Sequence, residues 1–171
     1  MTTSIRCCSL AASVVLTMTA CGIWQSARDG TIEVTRAVFE TKVKQMTLVI
    51  VARGALNRDA LGVSLPVVLR IYQLNDDKAF ATATYAQLLE GSAALKAATV
   101  WSRDVTLRPG ETLKVSELMQ DDASHVGVVA FFRDPGNAEW SVLVPKSQWK
   151  RTDPVRLVAV DRTVGLDTER R

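Results

Sequence analysis

VKQMTLVIVA, the run from Val43 to Ala52, alternates at its start, with Met46, Leu48 and Ile50 on one face and Gln45 and Thr47 on the other, then closes as an apolar, β-branched stretch. A side-chain period of two is that of a strand, and the unbroken apolar end marks a strand buried more deeply there. Ser64 to Leu74 (SLPVVLRIYQL) is a second β-rich run, with Pro66 near its beginning, where a missing N–H is best tolerated. Strand signals return at Thr99 to Leu107, Thr112 to Val115, His125 to Arg133, Glu139 to Val144 and Val155 to Val164.

The punctuation between these runs fits antiparallel connections. Arg108-Pro109-Gly110-Glu111 places a proline where its fixed φ suits a turn, and Thr112 to Val115 is expected as the return strand. Asp134-Pro135-Gly136-Asn137 separates two strand runs and predicts a hairpin. Residues 76–96 differ in character. Asn75-Asp76-Asp77 can cap a turn, Thr84 to Gln87 has capping-box spacing, Tyr85, Leu88 and Leu89 share a helical face, and Gly91 stops that helix. Short strands with one small helical insertion predict a mainly β chain folded as an antiparallel β-sandwich, not alternating βα units.

Ahead of the strands, Arg6 is followed by an apolar stretch from Cys7 to Ala20 and the junction Thr19-Ala20-Cys21. This order predicts a lipoprotein signal peptide, with residues 1–20 cleaved and a lipid on the Cys21 thiol, the blander alternative being a plain secretory signal with a coincidental cysteine. A helix of that length reaches roughly 21 Å, short of the ~30 Å hydrocarbon core, so a retained span is the weaker reading. Residues 21–30 then form a lipidated N-terminus and tether, and residues 31–171 the domain. All three cysteines, Cys7, Cys8 and Cys21, fall in the leader or at the lipid. A disulfide scaffold, a thiolate metal site and a cysteine nucleophile are thereby excluded from the domain, which must rely on an apolar core. Cleavage leaves about 150 residues, enough for one domain that buries roughly 70 per cent of its unfolded surface.

The balance of 21 basic to 18 acidic residues implies no nucleic-acid partner. His125 is the sole histidine and precedes a strongly apolar strand, a structural position. No metalloprotease, P-loop, nucleophile-elbow or dinucleotide fingerprint occurs, and Asp76-Asp77 and Asp121-Asp122 lie outside any calcium-loop pattern, so neither catalytic nor metal-binding residues are expected. Trp101, Trp140 and Trp149 read as core or edge aromatics. The loop Arg53 to Val63 (RGALNRDALGV) is longer than a hairpin needs and sets Leu56 and Leu61 among polar Asn57, Arg58 and Asp59. Composition alone leaves open whether those leucines meet a partner or fold back onto the core.

Leu56 to Phe80 (LNRDALGVSLPVVLRIYQLNDDKAF), with VGVVAFFRDP (Val126 to Pro135) and W-x-V-x-V-P (Trp140 to Pro145), resembles the TssJ-type lipoproteins of bacterial type VI secretion systems. The resemblance implies a transthyretin-like sandwich and a structural, non-enzymatic role. It also implies a lipid anchor in the outer membrane with the domain facing the periplasm, and a partner in the periplasmic C-terminal region of the inner-membrane protein TssM. The family's partner loop maps onto Ala55 to Ser64, which makes Leu56, Asn57, Arg58, Asp59, Leu61, Gly62 and Ser64 the candidate contacts. No cofactor beyond the Cys21 lipid and no small-molecule substrate are implied. Gly22 after the cysteine, rather than Asp, agrees with transport to the outer membrane. The competing reading, a periplasmic lipoprotein that binds a small ligand or assists assembly, requires a deep apolar cavity.

Overall fold

A computed structural model describes residues 42–168 of the chain. The leader, Cys21 and the tether lie outside the described residues. Two four-stranded sheets face each other. One has the order β4-β1-β7-β8, from β1 (Gln45–Leu56), β4 (Thr112–Leu118), β7 (Val155–Asp161) and β8 (Thr163–Leu166). The other has the order β3-β2-β5-β6, from β2 (Val67–Leu74), β3 (Thr99–Leu107), β5 (His125–Phe131) and β6 (Ser141–Pro145). Met46, Leu48 and Ile50, the face read from the alternation in β1, meet Leu69, Ile71, Val126 and Val128 in the core between the sheets.

The predicted β5–β6 hairpin forms, with Val126 opposite Val144. Three expectations change. Thr112 to Leu118 does not return against β3; it crosses to the other sheet and pairs with β1, Leu48 opposite Val115. The turn at Gly110, whose φ is +74°, donates its N–H to the Arg53 carbonyl, which draws the chain onto β1. The sandwich is also not wholly antiparallel, because β1 and β7 run parallel. Finally, the last apolar run is two strands: Asp161, at φ +51°, reverses the chain so that β8 folds back on β7.

The insertion consists of three short helices, α1 (Lys78–Ala81), α2 (Tyr85–Glu90) and α3 (Ala93–Ala98), extending two residues beyond the expected end at 96. The Thr84 capping box is present: its hydroxyl accepts from Gln87 N, and the Gln87 side chain accepts from Thr84 N. Gly91 ends α2 at φ +83°, the left-handed region that glycine occupies without strain. Leu88 is buried, but Leu89 points to solvent, since α2 is too short to bury a wide face. These helices cover the outer face of the β2–β5 sheet, where Tyr72, Leu74, Phe80, Leu88 and Val129 form a second small core. Phe80 lies against Gly127 of β5 and meets the Tyr72 ring edge-on at 5.8 Å.

The Ser64–Leu74 motif supplies the fastenings. Arg70 binds both carboxylate oxygens of Asp104 on β3, at 2.7 and 2.9 Å, donates to the Leu88 and Leu89 carbonyls ending α2, and lies over the Phe131 ring at 5.0 Å. A guanidinium fork suits this combination of bidentate pairing and stacking, which an ammonium could not reproduce. Gln73 is fully buried, yet its amide is satisfied at both ends, donating to the Leu118 carbonyl and accepting from Gln120 N across the two sheets. Trp149 donates its indole N–H to the Thr47 carbonyl, consistent with a core aromatic.

The hydrogen bond from Arg70 holds the Asp104 carboxyl below its ordinary value. A depressed carboxyl pKa contributes stability that is present above the unfolded value, near 4, and lost as pH falls through the folded one. Asp104→Asn is therefore expected to be less stable than wild type at pH 7, with a smaller gap at pH 3. Urea midpoints at the two pH values check this, and an equal gap at both would dissociate Asp104 from the acid limb.

Candidate functional site

The loop begins later than its sequence suggested, because β1 continues to Leu56 before the chain turns. The chain enters β1 at Gln45 and leaves at Leu56, and a strand rises about 3.3 Å per residue, so the loop lies at the end of the sandwich opposite the chain's entry. The two leucines whose fates composition left open have diverged. Leu56 is 0% exposed and packs in the main core, whereas Leu61 is 88% exposed at the loop's tip, with Val63 also turned outward.

A web of short-range bonds holds the tip in shape. One carboxylate oxygen of Asp59 accepts from both Leu61 N and Val63 N at 2.9 Å, Asp59 N donates to the Val63 carbonyl, and Gly62, at φ +80°, donates to the Asp59 carbonyl. Asp59 is well suited to this task because an aspartate side chain can accept from backbone groups two and four residues on. At the base, Leu65 N donates to the Leu56 carbonyl, and the Ser64 hydroxyl accepts from Leu56 N.

Asn57 is the deepest polar residue of the loop, 6% exposed and at φ +46°, a conformation that asparagine tolerates better than most residues. Its side-chain amide donates to the Pro66 carbonyl and its oxygen accepts from Arg133 N, both at 2.9 Å. Asn57 thereby fastens the loop to the β5–β6 connection. Its N–H donates to the Asp161 carbonyl, and Arg58 Nε lies 3.1 Å from the Asp161 carboxylate, tying the loop to the β7–β8 turn as well. Arg162 of that turn pairs with Asp134 of the β5–β6 connection at 2.5 Å.

The candidate contacts thus divide. Leu61 and Gly62 face solvent and Arg58 is exposed, whereas Leu56 and Asn57 are turned inward, and Asp59 gives one carboxylate oxygen and Ser64 its hydroxyl to loop backbone. Sequence reasoning did not bring Arg133, Asp134 and Arg162 to this end of the molecule. They border an open recess of about 520 Å³ beside the loop, lined by charged and small residues. Their turn residues signalled only a hairpin and the end of a strand, and nothing in their spacing pointed to the loop.

At the opposite end, His125 Nδ1 lies 3.0 Å from the Ser124 hydroxyl, which reaches the Asn75 carbonyl at 2.9 Å. This serine is engaged in fastening the insertion's entry to β5.

A family model described as type VI secretion lipoprotein (VasD, EvfM, TssJ) matches residues 44–168. A chain in a structure described as "Type VI membrane complex" is 32% identical with a TM-score of 0.70, covering 74% of this chain and 99% of that one. A chain in the structure described as the T6SS protein TssM C-terminal domain (869-1107) from EAEC is likewise 32% identical, with a TM-score of 0.66, covering 73% and 98%. The T6SS lipoprotein TssJ1 from Pseudomonas aeruginosa is 26% identical with a TM-score of 0.67, covering 76% and 99%. No curated protein sequence matches the chain.

Proposed function

Since the chain belongs to the type VI secretion lipoprotein family, we propose that it is a non-catalytic outer-membrane anchor of the secretion system's membrane complex. In this reading Cys21 carries the lipid, the sandwich hangs into the periplasm, and the tip of the 57–66 loop binds the periplasmic C-terminal region of the inner-membrane partner TssM. The observation that carries it is Leu61, a large apolar side chain 88% exposed on a loop whose every bend is hydrogen-bonded. A rigid apolar knob loses little conformational entropy on docking, so more of the buried area appears as affinity.

The physics of attachment agrees. One acyl chain holds a protein to a bilayer only marginally, whereas several hold it stably, each buried CH₂ contributing ~0.8 kcal/mol. With the loop at the far end of β1 from Gln45, the docking surface lies away from the end at which the chain enters the domain.

The test is membrane fractionation of cells that express the chain with the TssM encoded alongside it. The periplasmic region of TssM, released by proteolysis, is expected in outer-membrane fractions with the wild-type chain and absent from them with Cys21→Ala. Recovery that ignores the cysteine would overturn the anchoring role.

A further inference from the structure

The loop is not the whole docking surface. We infer that the partner surface is bipartite: the Leu61 knob and, across the recess beside it, the Arg133 guanidinium, which takes a carboxylate of the same partner. The inference rests on the reading of the loop given above and adds to it a second contact of opposite chemistry.

Asn57 couples the two contacts. It is a buried polar side chain, and both ends of its amide are used to join the loop at Pro66 to the backbone of Arg133. Buried amides are costly unless fully bonded, and here the bonds hold the loop that crosses between the sheets and the β5–β6 hairpin connection in one fixed relation. Arg133 then projects from a position set relative to Leu61. Around the recess the other charges are engaged: Arg58 with Asp161, Arg162 with Asp134, and Asp59 with loop N–H groups. The Arg133 side chain is exposed and forms no ion pair with any described residue. It is left with a fork of donors facing a concavity that can admit a partner side chain.

The choice of cation points the same way. In the four connections at this end, residues 57–66, 108–111, 132–140 and 162, every basic residue is an arginine: Arg58, Arg108, Arg133 and Arg162. Lysines predominate at the other end, with Lys42 and Lys44 before β1 and Lys146 and Lys150 after β6, beside a single arginine, Arg151. Arginine is enriched and lysine depleted where one protein surface meets another, because the guanidinium is more weakly hydrated and pairs with carboxylates through two bonds. Such segregation favours a protein partner over a small anion.

Arg133→Glu tests the inference, since the bond to Asn57 uses the main-chain N–H and survives the substitution. The full-length lipoprotein in detergent micelles is titrated calorimetrically with the periplasmic C-terminal region of the partner, alongside Leu61→Asp and Arg133→Lys. The expected result is at least 10-fold weaker binding for Arg133→Glu with an unchanged melting temperature and partial recovery in Arg133→Lys. Affinity should also return when one acidic residue of the partner, found by scanning each to arginine, is reversed. Loss in Leu61→Asp with wild-type affinity in Arg133→Glu would overturn the second contact and leave the loop reading standing. Binding that survives both changes would overturn the loop reading and this one together, and absence of binding by the folded wild-type chain would do the same.

Discussion

Gly127→Val is expected to destabilise the domain by about 3 kcal/mol, mainly by expelling Phe80 from its place under the helical insertion. A Cβ built on Gly127 would fall 2.6, 2.8 and 2.9 Å from three carbons of the Phe80 ring, inside any normal contact distance. The ring cannot simply swing away, since it is buried and packed edge-on against Tyr72, with Leu88 and Leu95 in the same small core. Glycine inside a strand itself costs roughly 0.5–1 kcal/mol relative to alanine, so the substitution carries a small gain that the clash must exceed. Overpacking by a β-branched side chain is the larger effect. If the clash is the cause, Phe80→Ala combined with Gly127→Val should cost much less than the sum of the single changes. Urea unfolding of the two single variants and the double checks this, and strict additivity would sever the link between Gly127 and α1. The effect should stay away from the loop, so partner affinity of the folded fraction should be unchanged.

The same glycine illustrates what the sequence could and could not say. In HVGVVAFFR the inner-face residues Val126, Val128 and Ala130 and the outer-face residues Val129 and Phe131 are all apolar, which marks a strand covered on both sides. The insertion at 76–96 was legible from its caps, but that it covers this strand was not, because periodicity says nothing of which layer a helix joins. The turn at Arg108 to Glu111 was legible as a turn and misleading as a hairpin; a tight turn between two β-rich runs looks alike whether the chain returns to its own sheet or crosses to the facing one. Within the loop, spacing identified the segment and left its side chains undivided. Leu56 and Leu61 are the same residue type five positions apart, and only the extension of β1 through Leu56 assigns one to the core and the other to solvent. Arg133 could not be found, since the bond that brings it to the loop joins Asn57 to a main-chain N–H, a group every residue but proline carries.

That division leads to the prediction with the largest consequence for assembly. Leu61→Asp is expected to weaken binding to the periplasmic region of the partner about 100-fold while leaving the melting temperature within a degree of wild type. The side chain makes no core contact that folding would miss, and a carboxylate placed in an apolar socket is desolvated without a counter-charge. Asp59→Ala should weaken binding by a different route. The Asp59 carboxylate takes two backbone N–H groups and carries the bend at Gly62, so its loss frees the knob instead of removing it. The affinity deficit of Asp59→Ala should therefore be smaller, about 10-fold, and entropic in origin, since the loop must be ordered at the moment of docking. Calorimetry separates the two: Leu61→Asp should lose apolar burial and with it the negative heat-capacity change, whereas Asp59→Ala should keep the heat-capacity change of wild type. Equal heat-capacity losses in both variants would mean that Asp59 touches the partner directly and that the loop's internal bonds are incidental to its grip.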